Sequence, residues 1–223
     1  MDVYEALYTT RVMRRMKPDP ISMASQCRIL DAAIRAPNGG NTQPWRFVVV
    51  DDPGLKAKLA DVYARCRERE YADIVAGRLG VVKYEDRDEW WETMRSQIKR
   101  SGDYFGEHFA ETPLLVFLYT AEAHYGANVF PAVWSAMLAA RAEGIGGVLS
   151  TLLRFEESTV AELLGVPPDE GWSLGAMLAF GYPLGRWGIA AKRRPVHEVA
   201  RRNGWDGAFG AEVPEPLWGN DFS

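Results

Sequence analysis

Pro113-Leu114-Leu115-Val116-Phe117-Leu118-Tyr119 is a continuous apolar run, and it shows neither the alternating pattern of a half-exposed strand nor the length of a core helix. A short run of that kind suits an inner strand, whose two pleat faces both meet core. A chain with such a strand must supply cover on both sides. Trp45-Arg46-Phe47-Val48-Val49-Val50 and residues 172–180 read as further strands, rich in β-branched and bulky side chains. Segments with helical spacing alternate with them. Val3, Ala6 and Leu7 share one face in residues 2–10, and Ile29, Leu30, Ala33 and Ile34 do so in residues 21–36, behind a Ser22 cap. Leu55, Leu59, Val62, Tyr63 and Cys66 mark an amphipathic helix. A long helix spans residues 126–143, with Trp134, Met137, Leu138 and Arg141 along it and alanines at 132, 136, 139, 140 and 142, and a shorter helix follows around 156–164. Helices covering a central sheet, in an α+β or α/β sandwich, are the expected outcome.

The chain of 223 residues needs one hydrophobic core. Residues 68–106 are polar but carry Trp90, Trp91, Met94 and Ile98 on one helical face, and read as an excursion over the core that could serve as a lid. Residues 200–223 have no periodicity and cannot build a core alone; Trp205 and Trp218 are expected to pack this extended C-terminal arm along another surface.

A net charge of −4 gives no general attraction to phosphate backbones, so nucleic acid and anionic membranes are not expected partners. The first residues lack a basic segment followed by an apolar stretch, and no later run matches a membrane span, so a cytoplasmic protein is expected. In that compartment Cys27 and Cys66 are expected as buried or half-buried free thiols. His108, His124 and His197 lack metal-ligand spacing, and no metal is expected.

Three segments concentrate chemistry. Arg11-Val12-Met13-Arg14-Arg15 and Lys192-Arg193-Arg194 are basic clusters in an acidic protein, and converging cations of this kind neutralise a phosphate dianion; solvated surface charge is the alternative. Pro37-Asn38-Gly39-Gly40-Asn41-Thr42-Gln43-Pro44 combines glycines that let backbone approach a ligand with amides suited to the edge of a flat heterocycle. The same residues also suit a plain turn between helix and strand. Gly144-Ile145-Gly146-Gly147 fits no dinucleotide fingerprint, since it follows a helix and lacks the third glycine. There is no phosphate-binding loop of the P-loop type and no nucleophile elbow.

Arg11 to Met16, Ala36-Pro37-Asn38-Gly39-Gly40-Asn41-Thr42-Gln43-Pro44-Trp45, Phe130-Pro131-Ala132-Val133-Trp134, and Gly181-Tyr182-Pro183 followed by Lys192-Arg193-Arg194-Pro195-Val196-His197-Glu198 occur in this order. In these motifs the chain resembles the FMN-dependent nitroreductase family from end to end. The resemblance implies a three-layer α/β/α sandwich with a mostly antiparallel sheet and an intertwined homodimer with shared active sites. It also implies that Arg11 and Arg14 or Arg15 meet the flavin phosphate and ribityl chain, with Arg193 completing the phosphate site beside Lys192 and Arg194. Pro37, Asn38 and Gly39 would come from the partner subunit, Asn41 would face the flavin edge, and backbone around Val148, Leu149 and Ser150 would lie near the pyrimidine ring and N5. The sequence departs from the family at Val12, where a polar residue is common, at Met16, where an aromatic is usual, and at Asn38, where serine is common.

The activity so implied is hydride transfer from NADH or NADPH through FMN to a nitroaromatic, quinone or similar small acceptor, in ping-pong fashion. The chemistry is then the flavin's, and no side chain is expected as a catalytic residue. The alternatives are a flavin-destroying enzyme of corrinoid biosynthesis, a reductive dehalogenase, and a non-enzymatic flavin-binding protein. Trp90 and Trp91 would stack on substrate in the first reading, or cap the flavin in the last.

Overall fold

The computed structural model describes residues 1–76, 89–121, 126–188 and 193–219, with the side chains at 75, 89–95 and 98 excepted. In chain order the elements are α1 (Val3–Thr9), α2 (Met23–Ala33), β1 (Trp45–Val50), α3 (Pro53–Val75) and α4 (Glu89–Glu107). They continue with β2 (Leu114–Thr120), α5 (Val129–Ala142), β3 (Gly146–Ser150), α6 (Glu157–Leu164), β4 (Ser173–Gly181) and α7 (Val196–Val199). The chain divides into two compact units, Val12–Arg186 and a terminal unit made of Met1–Arg11 with Trp187–Ser223.

In the larger unit the four strands form one antiparallel sheet in the order β1-β2-β4-β3. β2 is inner and buried along its whole length, as its unbroken apolar run requires. Its side chains alternate between two cores. Leu114, Val116 and Leu118 pack with Ala176, Leu178 and Phe180 of β4 under α2 and α5. Leu115, Phe117 and Tyr119 pack with Met177 and Ala179 under α3 and α6. The result is helices on both faces of a sheet, the three-layer α+β arrangement expected.

Local chemistry sets the helix ends. Ser22 caps α2 by accepting from the Ser25 amide at 3.2 Å, and Asp52 caps α3 by accepting from Leu55 at 2.7 Å, with Pro53 in the first turn. Arg28 and Glu143 join α2 to the C-terminal end of α5 at 2.6 Å. Helix α3 runs through Val75, and the end of the 68–106 stretch is no excursion: Phe105 is buried in the second core, with its ring edge-on to Tyr63 at 5.6 Å. Cys66 is buried there too, but Cys27 is exposed; both are free thiols.

Strand β3 is the element the sequence hid. Gly146-Gly147-Val148-Leu149-Ser150 has too few side chains to show a period of two, and only pairing with β4 reveals it. In the terminal unit, Trp218 stacks on Tyr8 at 5.7 Å. Trp205 does not, being 90% exposed. No helix among the described residues is long and apolar enough to cross a membrane.

Candidate functional site

The stretch after Arg11 is fixed to the outer edge of β3. The Met13 amide donates to the Gly147 carbonyl at 3.1 Å, and Val12 bridges Gly147 in parallel register. Such closeness depends on missing side chains, since a Cβ on Gly146 would stand 2.8 Å from the Met13 Cβ. Met13 is thereby buried and Val12 left exposed. Further along, the Leu184 amide donates to the Arg15 carbonyl at 3.0 Å and the Lys17 amide donates to the Tyr182 carbonyl at 2.8 Å. The basic stretch is therefore an extended segment strapped to the sheet.

This pinning directs Arg14 into a cavity of about 1050 Å³. One wall is Val148, Leu149, Ser150, Thr151 and Leu152, where β3 ends; another is α3, through Tyr63, Arg67, Glu70, Tyr71 and Ile74; Lys99 and Gly102 of α4 contribute as well. Arg14 is half-buried, and its desolvation pulls the guanidinium below its ordinary pKa. No carboxylate among the described residues forms an ion pair with it. Glu70, in the same cavity lining, favours its charge from a distance, and the half-buried guanidinium keeps donors suited to a ligand's anion. Tyr63 lies on the same wall, its hydroxyl pushed above the usual range by burial, against the opposing pull of the nearby Arg67. It therefore presents an O–H group at neutral pH.

A denser cluster stands where α3 meets α4. Arg67 Nη2 donates to Asp103 Oδ1 at 2.7 Å and also meets the Tyr71 hydroxyl, which is bonded in turn to Asp103. Lys99 Nζ donates to the other Asp103 oxygen at 3.0 Å. Hydrogen bonds from Tyr71 and Lys99 hold the Asp103 carboxyl down at about 2, while burial and the neighbouring carboxylate push Tyr71 up to about 12.

The structure brings together part of the expected site. Arg14, Val148, Leu149 and Ser150 line one cavity. Arg15 points elsewhere, its guanidinium 4.7 Å over the Tyr104 ring. Pro37, Asn38, Gly39 and Asn41 do not line this cavity. They form a tight turn in which Asn38 Oδ1 accepts from the Gln43 amide at 2.9 Å and Gly39 donates to Asn128 Oδ1 at 3.0 Å. Gly40, Asn41 and Gln43 all take left-handed backbone, which only Gly40 adopts without strain. Arg11, Arg193 and Arg194 belong to the terminal unit and are exposed. Lys192 and the side chains of Trp90 and Trp91 lie outside the described residues.

Sequence reasoning missed Arg67, Tyr71 and Lys99. A signal existed: Tyr63, Arg67, Glu70, Tyr71 and Ile74 repeat at three- and four-residue steps, continuing the apolar stripe of α3 as a mixed polar one.

The profile of the Nitroreductase family matches residues 8–182, which include the strapped Arg11–Met16 stretch, the 37–44 turn and the whole sheet. The chain belongs to the Nitroreductase family. Among the relatives of this nitroreductase-family chain is 5,6-dimethylbenzimidazole synthase of Rhodospirillum rubrum, 29% identical over 92% of this chain and 89% of that protein. An NADH dehydrogenase of Thermus thermophilus is 28% identical over 89% of this chain and 95% of its own length. In fold, the chain is similar to an oxidized iodotyrosine deiodinase crystallised with FMN and 3-iodo-L-tyrosine, with a TM-score of 0.70 at 24% identity, covering 92% of this chain and all of that one (100%).

Proposed function

We propose that this chain is an FMN-dependent oxidoreductase that moves reducing equivalents from NADH or NADPH to a nitroaromatic, quinone or similar electron-poor acceptor. The observation that carries the reading is Arg14, a half-buried guanidinium with no carboxylate ion pair among the described residues, set beside the β3 backbone in a cavity large enough for a cofactor. A flavin mononucleotide fits that donor set. Its phosphate or polarised ring edge supplies the missing negative charge, and backbone at Val148, Leu149 and Ser150 supplies the polar groups for a heterocycle.

Bound there, the flavin would supply two-electron exchange between nicotinamide and acceptor. The chain's own part is to hold, orient and shield. Arg14 anchors charge. Tyr63 and Ser150 hold a proton at the cavity wall.

The second half of the site comes from a partner copy in this reading. Pro37, Gly39 and Asn41 are exposed and away from their own chain's cavity, as residues serving another subunit must be. Large apolar side chains on α2 and α5, Met23 at 69%, Trp134 at 40% and Phe130 at 38% exposure, provide a surface for such a dimer. The cytoplasm remains the compartment in which we place it.

The test is direct. Purified protein should be yellow, with flavin absorbance co-eluting at the mass of a dimer, and should oxidise NADH or NADPH steadily when a nitroaromatic is added. Colourless protein that takes up no FMN refutes the reading. The likeness to 5,6-dimethylbenzimidazole synthase supports one rival, in which reduced FMN is itself consumed; loss of flavin under air without turnover of a nitroaromatic would establish it.

A further inference from the structure

Four ties, all inside the terminal unit, hold the C-terminal arm to the segment before it and to α1. Arg202 Nε donates to the Phe209 carbonyl at 2.9 Å, with the guanidinium 5.6 Å over the Phe209 ring. The Val213 amide donates to His197 Nδ1 at 3.0 Å, and the Arg193 amide donates to Glu215 Oε1 at 3.2 Å. Trp218 then stacks on Tyr8. Partners descend from 202 through 197 to 193 as the arm ascends from 209 to 215, so the arm doubles back antiparallel along the segment that precedes it. No helix or strand supports this return, and Val213 is the arm's one buried apolar side chain among the described residues.

The middle tie fixes the chemistry of the imidazole. A backbone N–H only donates, so Nδ1 is the bare acceptor and Nε2 carries the ring hydrogen. A proton taken up at Nδ1 turns the acceptor into a donor and sets N–H against N–H. Histidine is the side chain whose ordinary charge change falls between about pH 5 and pH 8, so this tie alone of the four changes role there. His197 is half-buried and lines a cavity of about 390 Å³ with Arg201, Phe209 and Glu212, through which water meets the ring. Arg201 and Glu212 bring charge of both signs to that cavity, and Glu198 follows His197 on α7. Arg201 Nη1 also donates to the His197 carbonyl at 3.2 Å, a bond to backbone that ring protonation leaves in place.

We propose that His197 and Val213 form a pH-sensitive clasp on the C-terminal arm, closed while the imidazole is neutral and opened when it takes up a proton. The closed arm excludes a proton from Nδ1 and the open arm admits one, so falling pH favours opening. The Arg202 and Trp218 ties bracket the segment that is released, which makes the opening local and reversible.

Hydrogen exchange of the full-length protein, read by mass spectrometry with exchange times scaled for the intrinsic pH dependence of amides, tests this. Between about pH 8 and about pH 5 the protection of residues 210–216 should fall about 10-fold, the scale of one lost hydrogen bond. Peptides from β2 should keep their protection over the same range. Two variants separate the clasp from plain packing. His197→Asn offers a carbonyl oxygen in place of Nδ1 and takes up no proton, so its arm should stay protected throughout. His197→Phe keeps a flat ring without an acceptor, and its arm should be poorly protected at both ends of the range. A wild-type arm whose protection is the same at both ends overturns the proposal. So does a His197→Asn arm that loses protection with acid as the wild type does, or a His197→Phe arm as well protected near pH 8 as the wild type.

Discussion

Replacing Arg14 by methionine separates a ligand-binding cation from a structural one. Methionine keeps most of the apolar stem and removes the charge. In the apo protein Arg14 is half-buried, pulled down in pKa by desolvation and without a carboxylate ion pair among the described residues, so its loss should leave the fold as stable as before or more so. With FMN the sign reverses, because a hydrogen bond to a charged group contributes about 1.5–3 kcal/mol, or roughly a 10- to 100-fold weaker Kd when it is removed. Linkage turns this into a thermal shift. At a flavin concentration 100 times the wild-type Kd, binding stabilises the native state by about 2.7 kcal/mol, and a 30-fold weaker variant would keep roughly 0.9 kcal/mol of that. For a chain of this size each kcal/mol moves Tm by about 2–4 °C, so the FMN-induced rise in Tm should shrink by roughly 4–7 °C. Flavin fluorescence titration gives the Kd, and thermal unfolding with and without FMN gives the shift. An unchanged Kd, or an apo Tm that falls by as much as the lost shift, would refute the argument.

Three further outcomes follow from the geometry. Gly146→Ala places a Cβ 2.8 Å from that of Met13, and should cost about 1–3 kcal/mol in urea unfolding while weakening FMN through the displaced Arg14 segment; unchanged stability would show that the strap yields freely. Trp134→Glu puts a charge on the exposed face of α5 and should give monomers in sedimentation that also lose flavin; monomers that keep FMN would refute the shared site. Asp103 is held at about 2 against an ordinary 3.8, a depressed folded-state value, so its contribution is full above pH 4 and fades as pH falls toward 2. Acid unfolding of Asp103→Asn should lack that part of the transition, and an unaltered acid limb would show that the cluster adds nothing.

The sequence alone determined β2, because an uninterrupted apolar run admits few structures other than an inner strand. It also determined most helices, since periodicity and caps such as Ser22 and Asp52 act within a few residues. The basic stretch and the amide-rich turn stand out in the sequence for the same local reason, their composition. What residues 11–15 do individually was not: Arg14 faces the cavity while Arg15 lies over Tyr104, and that choice is made by a hydrogen bond from Met13 to Gly147, far away in the chain. β3 needed a partner strand to become visible, because glycines carry no pattern. The Arg67, Tyr71 and Asp103 cluster required two helices to meet, joining positions 36 residues apart. Local propensity fixes what an element is. Only packing decides which of its side chains share a cavity, because the forces that bring them together act between segments that the sequence keeps apart.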